Sequence, residues 1–143
     1  MKKALVIGGA GFVGSHLTDL LVEKQYAVTV IDNFVTGHKK NLEHLLKSEK
    51  IRLLEHNIVE PLPLNEKFDE IYNLASPASP IDFDRIPLFI LETNTKGHQN
   101  VLEFAKKFGG RVLFASTSEV YGDPEVHPQK EDYRGNVNIN GPR

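Results

Sequence analysis

Near its amino terminus the chain switches hydrophobic period across a cluster of glycines, and few folds accommodate that switch. Residues 3–8 form a short apolar run that stops on Gly8 and Gly9, the pattern of a buried strand. From Phe12 onward, Phe12, Val13, His16, Leu17, Leu20 and Leu21 recur at helical spacing. Between the two, Gly9-Ala10-Gly11-Phe12-Val13-Gly14 matches GxGxxG, and Gly8 adds a second register through Gly8, Gly11 and Gly14. The early glycines permit a tight turn. Gly11 lets backbone approach a pyrophosphate, and Gly14 lets the helix pack closely on the strand. The N–H groups at the helix start then face the phosphates. Strand, turn and helix together supply the context that gives this motif its meaning. The bland alternative is a glycine-rich turn with no ligand.

The rest of the chain repeats the alternation. Residues 27–31 form a second β-branched run, closed by Asp32 and Asn33, and further runs follow at 51–54, 70–74 and 111–115. Residues 87–108 read as one helix, with Pro87 in its first turn, an apolar stripe through Ile90, Leu91, Val101, Leu102, Phe104, Ala105 and Phe108, and Gly109-Gly110 as its stop. Strands separated by helical segments pair in parallel through right-handed crossovers, so the expected fold is an open α/β sheet of about five strands with helices wound on both faces. Residues 122–143 are rich in Gly, Pro and Asn, lack periodicity, and read as a long loop leading into a further part.

Composition removes several classes of function. The 143 residues are 40% hydrophobic and 25% charged, values of an ordinary globular domain. Seventeen Lys and Arg against 19 Asp and Glu leave a net charge of −2, without the positive excess a nucleic-acid binder needs. The apolar run after Lys2-Lys3 is too short for a signal peptide, and no stretch approaches a bilayer span. With no cysteine present, a cytoplasmic location is the expectation. Six histidines without HExxH or comparable pairing argue against a zinc site.

Asp32 ends the second strand, close to where an acidic residue meets the adenosine ribose. A carboxylate there accepts from a diol and repels a 2′-phosphate, which favours NAD over NADP; Lys39 and Lys40 are the nearby cations that argue the other way. An Asp before Asn is also a common turn residue. Thr117, Ser118 and Glu119 follow the fifth strand, at the carboxyl ends of the strands that line the ligand crevice of such folds. Hydroxyl residues that merely begin a loop would look the same.

Four segments carry a resemblance: GGAGFVGSHL from Gly8 to Leu17, DNFVTG from Asp32 to Gly37, NLASPASP from Asn73 to Pro80, and STSEVYGDPEVHPQ from Ser116 to Gln129. They resemble the extended short-chain dehydrogenase/reductases acting on nucleotide sugars, and within them the UDP-glucuronate decarboxylases, which make UDP-xylose. The glycine motif is shared across the superfamily, whereas the ASPASP and TSEVYGDP parts of the third and fourth segments point to the decarboxylases. The related 4,6-dehydratases usually carry Asp-Glu in place of Ser118-Glu119, and the 4-epimerases usually lack the Glu.

The resemblance implies a Rossmann-type domain over residues 1–121 and an active-site loop over 122–143. It implies NAD as a cofactor that takes a hydride from C4 of the glucuronate ring, whose 4-keto acid then loses carbon dioxide before the hydride returns. Thr117 and Ser118 would bond the sugar hydroxyls, and Glu119 would orient the ring or assist proton transfer. Gly8, Gly11, Phe12, Val13, Asp32, Asn33, Phe34, Thr36 and Gly37 would line adenosine and pyrophosphate. Leu74, Ala75 and Ser76 would run along the dinucleotide, Asn94 would sit near the site, and Pro77, Ala78 and Ser79 would touch substrate. Near the adenine the family usually has Asp where this chain has Asn57, whose amide oxygen can still accept. The family's catalytic Tyr and Lys, spaced YxxxK, follow shortly after a segment like Gly141-Pro142-Arg143. The chain is therefore expected to be the cofactor-binding part of a longer enzyme, inactive alone and homodimeric when complete; a dehydratase, an epimerase or a non-catalytic NAD-binding module are the rival readings.

Overall fold

The computed structural model describes residues 1–139. Five strands form one parallel sheet: β1 (Lys3–Ile7), β2 (Ala27–Asp32), β3 (Ile51–Glu55), β4 (Glu70–Asn73) and β5 (Arg111–Phe114), in the order β3-β2-β1-β4-β5. β1 lies at the centre, with Ala4 opposite Val28 on one side and Glu70 on the other. Its side chains alternate between faces, which decides the two layers of core. Ala4 and Val6 join Leu21, Val30, Leu42 and Leu45 beneath α1 (Phe12–Glu23) and α2 (Glu43–Lys47). Leu5 and Ile7 join Phe68, Ile71, Val101 and Phe104 beneath α5 (His98–Phe108). This is the doubly wound Rossmann-type sheet that the alternation predicts.

The strand order reverses direction between β1 and β4, and the crevice at such a reversal, beyond the carboxyl ends of the strands, is where these folds bind ligands. Two glycines make the turn above β1 possible. Gly8 has φ +78°, and a Cβ on Gly14 would lie 2.2 Å from the Gly8 carbonyl oxygen. Any side chain at Gly14 would push α1 off the strand.

The single helix expected over 87–108 is interrupted. α3 (Pro80–Arg85) comes first, and Ile86 leaves helical geometry because it precedes a proline. α4 (Pro87–Glu92) then runs through a π-turn at Thr93–Gly97 into α5. Side chains take the carbonyls that the wider turn loosens: Thr93 Oγ1 donates to Phe89 O at 2.8 Å, Asn94 Nδ2 to Ile90 O at 3.0 Å and Thr95 Oγ1 to Leu91 O at 2.7 Å. No periodicity rule sees this, because the apolar stripe continues across it.

Beyond β5, a 3-10 turn at Ser118–Tyr121 leads into an irregular segment that folds back on itself. Asp123 N–H donates to Asn136 O at 3.1 Å, and Glu125 N–H to the Tyr133 hydroxyl at 3.0 Å. Gly141, Pro142 and Arg143 lie outside the described residues. Among the described residues no helix is long and apolar enough to cross a membrane.

Candidate functional site

Two cavities open side by side at the carboxyl ends of the strands. The first, a narrow cleft of about 80 Å³, is bounded by Gly8 and Gly11 above β1, by Asp32, Asn33, Thr36 and Gly37 after β2, and by Leu74, Ala75, Ser76 and Pro77 after β4. The second, about 480 Å³ and mostly apolar, is bounded by Val13, Leu74, Ser76, Pro77, Ala78, Asn94, Thr117 and Glu119. Leu74, Ser76 and Pro77 belong to both and form their common wall.

The glycine turn is held firmly from one side and open on the other. Asp32, 7% exposed, accepts the Ala10 N–H on Oδ2 and the Phe34 N–H on Oδ1, each at 2.8 Å. The Ala10 carbonyl in turn accepts from His38 N–H at 3.0 Å and from Asn41 Nδ2 at 2.9 Å. Asp32 thus serves the turn as well as facing the cleft, so the turn-residue and ligand-residue readings of this carboxylate are both compatible with its geometry. Each oxygen keeps a second lone pair that a ribose hydroxyl can use.

Gly11 and α1 complete a cradle for an anion. A Cβ on Gly11 would meet only the Gly8 carbonyl oxygen, at 3.3 Å, and otherwise open space. Gly11 is also the N-cap of α1 and offers no side-chain cap, so the first-turn N–H groups have no intrahelical or capping partner. Close backbone approach, uncapped donors and the positive end of the helix dipole fit a pyrophosphate.

Several expected contacts fall elsewhere. Phe12 is exposed and packs edge-on against His16 at 5.0 Å, outside both linings. Phe34, at φ +57°, is half-buried, packs against the core layer on the α1 and α2 face and lines neither cavity. Asn57 lies outside the cleft lining and accepts the Val59 N–H on Oδ1 at 3.1 Å, while its neighbours His56 and Ile58 line the cleft. Ser79 is the N-cap of α3, and Ser118 opens the 3-10 turn; neither lines a cavity. Thr117 does, and its Oγ1 accepts the Glu119 N–H at 3.2 Å.

Sequence reasoning missed His56, Ile58, Phe89, Thr93 and Phe83 as lining residues. Applying the strand-end rule to β3 as it was applied to β5 would have reached the first two. Phe89 and Thr93 stand one helical turn apart, hidden by the unseen π-turn.

The displaced titrations are at the opposite end of the sheet. Burial pushes the Tyr72 hydroxyl up to about 12, helped by its hydrogen bond to Glu70 and that carboxylate's charge. Glu70 is held below the usual carboxylate range by the Tyr72 bond, then by Tyr26 and Lys2, against its own desolvation.

The architecture, a parallel sheet whose glycine turn and acidic strand end frame a cleft at the topological reversal, defines a dinucleotide-binding class. The chain belongs to the NAD-dependent epimerase/dehydratase family, whose model matches residues 4–142. It is 57% identical over 142 residues to UDP-glucuronic acid decarboxylase 1 of Danio rerio, covering 99% of this chain and 34% of that protein. Among solved structures, a UDP-galactose 4-epimerase superposes with a TM-score of 0.81 at 33% identity, covering 94% of this chain and 45% of the other. A UDP-glucose 4-epimerase from Brucella ovis, in complex with NAD, gives 0.77 at 26% identity over 96% of this chain and 42% of the other. The chain thus spans about a third of the length of the curated relative.

Proposed function

We propose that this chain forms the NAD-binding portion of a UDP-glucuronate decarboxylase, the complete protein releasing carbon dioxide from UDP-glucuronate to give UDP-xylose. The observation that carries the reading is the common wall at Leu74, Ser76 and Pro77 between the glycine-turn cleft and the Thr117–Glu119 cavity. A dinucleotide lying along that wall runs from one cavity to the other. NAD bound there would supply a reversible hydride acceptor for C4 of the sugar.

The chain's own residues bind and orient. Gly11 and the first N–H groups of α1 hold the pyrophosphate, and Asp32 accepts from the ribose. Because Thr117 Oγ1 already accepts from Glu119 N–H, its hydroxyl proton is directed to another acceptor, and a sugar oxygen in the cavity serves. Glu119, in the same lining, orients the ring. Asn94 Nδ2 donates to Ser76 Oγ at 2.9 Å and steadies the wall between them. The apolar residues left exposed on α4 and α5, Leu88, Leu91 and Leu102, support a paired-helix dimer of the complete enzyme.

Calorimetric titration of this chain with NAD and NADP tests the first half of the reading. Saturable NAD binding with markedly weaker NADP binding is expected, and no saturable NAD binding overturns it. The two solved neighbours named above are 4-epimerases, which favours a nucleotide-sugar epimerase as the second reading. Release of labelled carbon dioxide from carboxyl-labelled UDP-glucuronate by the complete gene product separates the two.

A further inference from the structure

The wall shared by the two cavities is anchored from below by a side chain that touches neither. Asn73 ends β4, is 2% exposed, and accepts the Ala75 N–H on Oδ1 at 3.3 Å. Its Nδ2 lies 3.1 Å from His98 Nδ1. An amide nitrogen only donates, so Nδ1 accepts and the imidazole is neutral with its proton on Nε2. The opposite amide orientation would set an NH₂ group against the Ala75 N–H, two donors facing one another. The geometry therefore fixes both the amide and the tautomer.

His98 is placed to transmit this. It opens α5 directly after the π-turn, and its ring lies 4.2 Å from that of Phe114 at the end of β5. One imidazole thus joins the interrupted helix to the ends of β4 and β5. At the other end of the relay, the 74–75 backbone presses on the glycine turn. A Cβ on Gly8 would meet Ala75 N and the Leu74 carbonyl carbon, each at 2.9 Å. The Ala75 peptide therefore lies close against the Gly8 backbone, with no room for a side chain between them.

We propose that His98 is a positioning residue for the dinucleotide. By accepting from Asn73 it locks the amide that holds Ala75, and so sets the wall against which the cofactor lies. The proposal rests on the NAD reading above. Without the acceptor, Asn73 is free to rotate, the Ala75 N–H loses its partner, and the wall relaxes away from Gly8.

The test compares His98→Leu, His98→Gln, Asn73→Ala and the Asn73→Ala/His98→Leu double variant by NAD calorimetry, thermal melting and amide exchange at Ala75. His98→Leu and Asn73→Ala are each expected to raise the NAD dissociation constant about fivefold, the loss of one neutral hydrogen bond. The double variant should bind no worse than the weaker single one, because both break the same relay. His98→Gln, which keeps an acceptor, should stay within about twofold of the parent chain. A residue that only stabilises the fold would lower melting temperature without this pattern. Nitrogen-15 chemical shifts of the His98 ring in the unmodified chain should show Nε2 protonated. Additive effects in the double variant, a folded His98→Leu chain with unchanged affinity and unchanged Ala75 exchange, or a neutral ring protonated on Nδ1 would each overturn the proposal. If the parent chain fails to bind NAD, the functional reading falls, while the ring tautomer and Ala75 exchange still decide whether the relay exists.

Discussion

The two ends of the site are supported in different ways. Around β1 and β2, Ala4 to Ile7 are fully buried, and Asp32, His38 and Asn41 hold the turn above them at the two peptide groups that flank Ala10. Around β5, Leu113 and Phe114 remain about half exposed, and Thr117, Ser118 and Glu119 ride on one exposed stretch. The cleft for the nucleotide is built into the core, whereas the residues proposed for the sugar are attached to its edge. Recognition of the dinucleotide should therefore be sensitive to packing, and the sugar side should tolerate change in the fold while losing chemistry.

The largest expected break of that contrast is Gly14→Ala. Its Cβ would collide with the Gly8 carbonyl and the Gly9 backbone, so urea unfolding should show a loss of about 3 kcal/mol, together with lost NAD binding. Asp32→Asn comes next. Both carboxylate oxygens accept backbone N–H groups, and an amide must turn its NH₂ toward one of them. The same experiment should register about 2 kcal/mol. Gly11→Ala sharpens the picture from the opposite direction. With open space beyond 3.3 Å, its stability should stay within about 1 kcal/mol of the parent, while calorimetry shows NAD affinity down about tenfold. A Gly11→Ala chain that binds NAD normally would remove the pyrophosphate from the cradle.

Two smaller effects probe regions away from the nucleotide. The Tyr72 hydroxyl, at about 12 in the folded chain against 10 unfolded, stabilises fully below pH 10 and loses that contribution as pH rises toward 12. Tyr72→Phe should flatten this alkaline decline in a melting series and leave NAD affinity unchanged. Leu113→Ser, on the exposed side of β5, should shift stability by no more than about 0.5 kcal/mol. A larger loss would mean that the β5 edge carries core packing after all.

Much of this was legible in the chain. The period switch at Gly8–Gly14, five β runs and the acidic end of β2 sufficed for the sheet and for the cleft, because each is a local pattern with one physical cause. What escaped notice depends on partners distant in sequence or on geometry that leaves composition unchanged. The π-turn preserves the apolar stripe on either side of Thr93–Gly97, so the 87–108 segment still reads as one regular helix. That Asn57 also accepts the Val59 N–H two residues on follows from the turn it sits in and cannot be read from its position after β3. The His98–Asn73 bond spans 25 residues and follows no spacing rule.

The grip on Ala10 has a consequence for anyone moving this site between proteins. Its N–H is held by Asp32 and its carbonyl by His38 and Asn41, so that the two peptide planes flanking its Cα are both clamped from residues 22 and more positions downstream. A graft of the glycine segment alone onto another parallel sheet would carry the motif letters without their orientation. The smallest transplantable unit is β1, the turn, α1, β2 and the loop through Asn41, taken together.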